Sequence, residues 1–212
     1  MELGLTEEAT AWRDWLLRAV AGDPAQVQIM YGLHGERDLP ERELGWLAGF
    51  GGARPVRVGN AAAGQLQLDV FGETADMLAQ ARRGGIASHP QTGAVGRVAL
   101  GRLEDLWREP DDGLWEVRGD QAHHVHSKVL AWVAFDRAAR LIGSGAEARR
   151  WRRVANEVRK EVCARGFDGK LGGFTQSYGS STVDASLLFI VLTGFLPPDD
   201  PRALGTVKAI EE

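Results

Sequence analysis

The sequence predicts an all-α fold, a partial toroid in which outer and inner helices alternate, with short strands confined to its long loops. Two observations predict it. Helical segments with a single apolar stripe alternate along the chain with segments that are apolar nearly all round. Two concentric rings write this alternation into a sequence, because inner helices touch neighbours on both sides and outer helices on one. The connections from outer to inner helices are long, at 21–59, 108–121 and 166–181, and the returning ones are shorter. Loops of that length in a compact domain are usually functional, and this arrangement gathers them at one end, the candidate site face. As to chemistry, no GxxxxGK[ST], GxGxxG or GxSxG string occurs, so phosphate-loop, dinucleotide and nucleophile-elbow readings have no support.

The elements follow in order. Trp12, Trp15, Leu16, Ala19 and Val20 recur at helical spacing as one buried stripe, opposite Arg13, Asp14 and Arg18. Over 60–82, Leu66, Val70, Glu73 and Met77 form one row and Leu68, Phe71, Ala75 and Leu78 another, the pattern of a sandwiched helix. The segment 91–107 is a weaker outer candidate, its propensity lowered by Gly93, Gly96 and Gly101. Val129, Leu130, Trp132, Val133, Phe135, Ala138, Leu141 and Ile142 go almost all the way round and predict an interior helix. Over 147–165 a single stripe of Trp151, Val154, Ala155, Val158 and Val162 returns, with arginines facing water. The segment 183–192 reads as interior, and Pro201 starts a last amphipathic helix. Short strands are expected in VQIMYGL and LGGFTQSY.

Composition narrows the function. The 212 residues are 44% apolar and 25% charged, the balance of one domain with a sizeable core, taken as spanning 1–212. A formal charge of -4 lacks the positive field that nucleic acid requires. Residues 185–196 are too short an apolar run to span a bilayer, and the acidic start turns directly into an amphipathic helix, so the expectation is a cytoplasmic chain without membrane contact. Cys163 stands alone in a helical pattern and reads as a buried thiol.

Among polar motifs, His123, His124 and His126 could begin a zinc site, but no HExxH or CxxC joins them; a polar loop-to-helix junction is the plainer reading, and no metal is expected. Asp111 and Asp112 in PDDG read as a turn, and Asp199 and Asp200 as a cap before Pro201. Arg57 and Asn60 precede the second helix on the site face, where a surface arginine and a capping asparagine are the plainer reading. Glu116 in GLWEVRG lies between Trp115 and Val117 in a site-face loop. Apolar surroundings favour the neutral form of a carboxyl group, and a neutral carboxylic acid can donate to a leaving-group oxygen.

Six segments in series, QIMYGLHGERDLPERELGWLAGF, RPVRVGNAAAGQLQLDVFGE, EPDDGLWEVRG, HSKVLAWVAFDRA, EVCARGFD and YGSSTVDASLLFIVLTGFLPPDDPR, resemble glycoside hydrolase family 15, the glucoamylase and bacterial trehalase group, over essentially the whole chain. The resemblance implies an (α/α)6 toroid that hydrolyses a terminal α-glucosidic bond with inversion and without metal or organic cofactor. Two carboxyls roughly 6.5 to 9.5 Å apart do this: an acid protonates the glycosidic oxygen and a base activates water on the other face. The family's acid is the glutamate after Trp in G-[IL]-W-E, which falls on Glu116. By position Trp115 would pack against sugar, with Arg57, Asn60, Arg118 and Lys128 as candidates for hydroxyl contacts.

The departures are also specific. The second catalytic glutamate belongs to an AEEYD-like element beyond PPDDPR, and none of Glu36, Glu41, Asp168 or Asp184 stands in such an element. About seven helical segments are present where the family toroid has twelve, and Val117 replaces the second glutamate of fungal enzymes. Two readings stay open: a piece of an inverting glycoside hydrolase acting on α-glucans or trehalose, inactive by itself, or a helical protein that at most binds sugar. An open ring would expose apolar walls, through which copies could associate.

Overall fold

The computed structural model describes residues 5–116 and 119–212. Helix α1, Thr6–Ala21, buries Leu16, Leu17 and Val20 as an outer helix should. Its stripe is rotated from the predicted one: Trp12 is 47% exposed, while Arg13 is buried and donates to the carbonyl of Ala87 and to Asp14. A carbonyl at the α1 interface needs a donor, and the arginine supplies it in place of the indole.

Helix α2 is Asp69–Arg83, shorter than the 60–82 segment predicted. Asn60 caps a 3₁₀ turn over Ala61–Gly64, and the chain then runs extended into α2. The cause is competition for backbone amides. Leu66 N–H donates to Asp112 Oδ2 at 2.8 Å and Leu68 N–H to Asp111 Oδ2 at 3.1 Å, so neither is free for an i−4 carbonyl. Helix α3, Thr92–Leu106, buries Leu103 and leads into the buried Trp107.

Helix α4, Val125–Ile142, is the centre of the molecule; from Val125 to Ala139 every residue but Asp136 is buried. It packs against α2 and against α5, Gly145–Arg165, which buries Trp151, Val154, Ala155, Val158 and Val162 and turns its arginines outward. Phe135 stacks on Trp151 with centroids 5.6 Å apart. At Gly72 a Cβ would stand 2.2 Å from the Leu130 carbonyl oxygen, so the α2–α4 approach is close enough to demand glycine.

The predicted interior helix over 183–192 is a 3₁₀ turn, Ala185–Leu188, running into a single-turn α6, Phe189–Leu192; Ile190 is buried and Leu192 is 75% exposed. Helix α7, Pro201–Glu211, starts at an Asp200 cap as predicted. Two antiparallel ribbons occupy the loops: β1, Arg42–Glu43, with β2, Arg57–Val58, and β3, Phe167–Asp168, with β4, Gly173–Phe174. The expectation near 175 is met, but residues 27–33 form no strand. There the Gln28 side chain donates to the carbonyls of Arg37 and Ala63, tying the segment by a side chain instead of a ladder. Among the described residues no helix is long and apolar enough to cross a membrane. From α1 to α5 outer and more deeply buried helices alternate, in keeping with a helical toroid.

Candidate active site

The amino ends of α2, α4 and the short α6 are joined by the segments that precede them. Asp111 and Ala122 exchange backbone hydrogen bonds at 2.9 and 3.0 Å, Asp112 Oδ2 accepts from Gln121, and Asp112 N–H donates to the Leu66 carbonyl. Asp111 and Asp112 are therefore more than a turn: they hold the entry to α2 against the loop before α4. Gly113 completes this join at φ +71°, where a Cβ would lie 2.6 Å from the His124 ring. On the other side Val125 N–H donates to Gln176, and Tyr178 N–H to His123.

Trp115 and Glu116 lie on the loop thus held. Trp115 is 55% exposed, and its Nε1–H donates to Asp184 Oδ2 at 2.9 Å. Asp184 also accepts from Gln176 Nε2 at 2.7 Å, and from the Ser186 N–H and hydroxyl as it caps the turn before α6. Burial opposes ionisation of Asp184, but the hydrogen bonds from Ser186, Trp115 and Gln176 outweigh it and hold the carboxyl below the usual carboxylate range. In the sequence Asp184 is one carboxylate among several on the site face; its part in fixing Trp115 depends on a contact between residues 69 positions apart.

Glu116 stands at φ +51°, which costs a non-glycine residue on the order of 1 kcal/mol and is concentrated at functional sites. It is exposed. The Trp115 indole beside it is tied by its edge to Asp184.

The other predicted site residues are placed differently. Lys128 requires a correction: it is fully buried, with Nζ donating to the carbonyls of Trp107, at 2.8 Å, and Glu109. Burial pushes it down to about 8, against the pull of Asp111, Glu161 and Glu109. It closes the carboxyl end of α3 and presents no donor to a sugar. Asn60 Oδ1 accepts from Ala62 N–H as a cap. Arg57 pairs with Glu41 at 3.2 Å and Glu43 at 3.0 Å across the β1–β2 ribbon. Arg118 lies outside the described residues. Of the remaining carboxylates, Glu36 accepts from His34 N–H, and Asp168 from Lys170 and Leu171 N–H, as local turns.

Beneath the loops lies a buried polar pair missed in the sequence. Asp69 Oδ2 is 3.8 Å from His126 Nδ1, with Phe189 edge-on to the imidazole. Burial, with Glu73 and Asp111 nearby, pushes Asp69 up to about 7, and burial pushes His126 down to about 4. The pair is thus not a salt bridge at mildly acidic pH: both members are neutral. Linkage gives the sign. Asp69 binds its proton more tightly folded than unfolded, so its contribution to stability is present below its ordinary value of 3.8 and is lost as pH rises through about 7. His126 acts oppositely, its contribution lost as pH falls from 6.5 through about 4. Asp69→Asn is expected to raise the melting temperature at pH 8 and to lose that gain towards pH 4. Thermal denaturation across this range checks it, and a pH-independent shift would exclude Asp69 as the titrating group.

The fold, with its loops gathered at one face, has a helical toroid-like architecture. A wild-type glycosidase structure superposes with TM-score 0.67 at 20% identity, covering 97% of this chain and 51% of that one. A glycosidase in complex with glucose superposes at 0.68 and 21%, covering 94% and 49%. The family model for glycosyl hydrolases family 15 matches residues 1–212, and the chain belongs to that family. It is 44% identical to a trehalase of Mycobacterium tuberculosis over 189 residues, 88% of this chain and 28% of that protein. Against trehalases of Mycolicibacterium smegmatis and Thermoplasma volcanium the identities are 41% and 36%, each over 99% of this chain and 32% and 34% of the relative. The chain thus spans about a third of the length of these curated relatives.

Proposed function

We propose that this chain carries the acid half of an inverting trehalose-hydrolysing site, in which Glu116 protonates the glycosidic oxygen and a base outside the described residues activates water. Carrying this reading is the exposed Trp115–Glu116 pair, held at the loop-bearing end of the helices by a fixed carboxylate. An indole fixed by its edge leaves its face free to pack on the C–H surface of a sugar ring, and the adjacent carboxyl is within reach of solvent and substrate. The trehalase names of the relatives favour trehalose over longer α-glucans. Trp115 serves as the sugar platform. Asn60 and Lys128 are committed to backbone partners, and Arg57 would have to exchange two ion pairs for hydroxyls. Arg118 rests on the resemblance alone. A cytoplasmic location and a single domain over 1–212 belong to the same reading.

Trehalose joins two glucose units through their α-anomeric carbons, so inversion at one of them releases one β- and one α-glucose. The 212-residue chain by itself is expected to bind trehalose without turnover. Joined to a base-bearing element, it should show equal early yields of the two anomers by proton NMR. Two α-anomers would overturn inversion, and turnover by the chain alone would overturn placing the base elsewhere.

A further inference from the structure

We propose that Asp184 is the positioning residue of the Trp115–Glu116 pair, its carboxylate holding the indole edge and thereby setting where the Glu116 carboxyl stands. The inference deepens the reading of Glu116 as acid and rests on it. The carboxylate is a fixed point: Ser186 bonds one oxygen through N–H and hydroxyl, and Gln176 shares the other with Trp115. Three of its four donors are independent of Trp115, so Asp184 keeps its orientation whatever the indole does. Trp115, in contrast, is more than half exposed, and packing alone restrains its ring little. The Nε1–H bond to an ionised acceptor is a charge-assisted restraint on that ring.

Glu116 follows Trp115 directly and sits at positive φ, a conformation that persists only where its surroundings over-determine it. Fixing the indole restrains the Trp115 side-chain torsions and anchors the backbone point from which Glu116 follows. The bond also joins the loop before α4 to the turn before α6, so the carboxyl is placed by two segments and not by its own loop alone.

The full chain can be tested by NMR. The Trp115 Nε1–H resonance, assigned by its loss in Trp115→Phe, should lie downfield of a solvent-exposed indole. It should move to the free position in Asp184→Ala and stay largely in place in Asp184→Asn, which still offers an acceptor oxygen. Ser186→Ala, which removes only a donor at the other oxygen, should leave it unchanged. In a turnover-competent form Asp184→Ala should lower kcat on trehalose roughly 10- to 100-fold, with KM altered less than about threefold and most of the loss recovered by Asp184→Asn. In the Trp115→Phe background the same substitution should add nothing. A resonance indifferent to Asp184→Ala overturns the proposal, as do additive kcat losses in the double variant. A resonance that moves while Glu116→Gln retains full turnover leaves the indole clamp standing and overturns the Glu116 reading instead.

Discussion

Glu116→Gln is expected to abolish most trehalose hydrolysis in a turnover-competent form, with kcat lowered on the order of 10²- to 10⁴-fold. The amide is isosteric with the carboxylic acid, so the exposed side chain at φ +51° keeps its place, but it has no acidic proton for the departing oxygen. The loss should depend on the leaving group. Glucose is a poor one and needs protonation, whereas a nitrophenolate leaves readily without it, so a chromogenic aryl α-glucoside should be affected much less than trehalose. Steady-state rates on the two substrates, before and after substitution, give the comparison. Equal losses on both would point to a binding or folding defect, and full activity on both would remove Glu116 from the mechanism.

Gly72→Ala is expected to destabilise the chain by about 3 kcal/mol, through overpacking at a contact that cannot yield. The added Cβ would meet the Leu130 carbonyl oxygen at 2.2 Å and its carbon at 2.6 Å, backbone atoms in the most buried helix of the fold. A flexible side chain could turn away; the α4 backbone is held by its own hydrogen bonds, so α2 must move off it. Alanine's better helix propensity returns only about 1 kcal/mol. Denaturant unfolding measures the difference, with Gly96→Ala as the control. Gly96 is also helical and nothing lies within 4 Å of its built Cβ, so that variant should be stabilised slightly.

Much of the helical plan was legible in the sequence because burial is written as periodicity. The stripe of Trp151, Val154, Ala155, Val158 and Val162 placed α5 on the outside, and the nearly all-round apolar run of α4 placed it within, as the structure has them. Periodicity located α1 too, but not its rotation: a helix with Trp12 and Arg13 side by side does not declare which will face a carbonyl across the interface. The start of α2 was misjudged because the amides of Leu66 and Leu68 are taken by Asp112 and Asp111, 46 and 43 positions away.

Of the site, the sequence by itself determined the chemistry it could offer: a Trp-Glu pair in a long loop, in the order and context of its family. Only the tertiary structure decided which side chains were free to use. Lys128, which the resemblance offers as a candidate for hydroxyl contacts, closes the end of α3, because buried main-chain carbonyls must be satisfied and it is the donor in reach. Asp184 stands in the sequence as one carboxylate among several; its capping of the turn before α6 and its grip on the Trp115 indole exist only in the folded chain, the latter once two loops meet. Local pattern determines which residues pair with water or with apolar neighbours, whereas contacts between distant segments depend on how the helices cross, which no short-range pattern encodes.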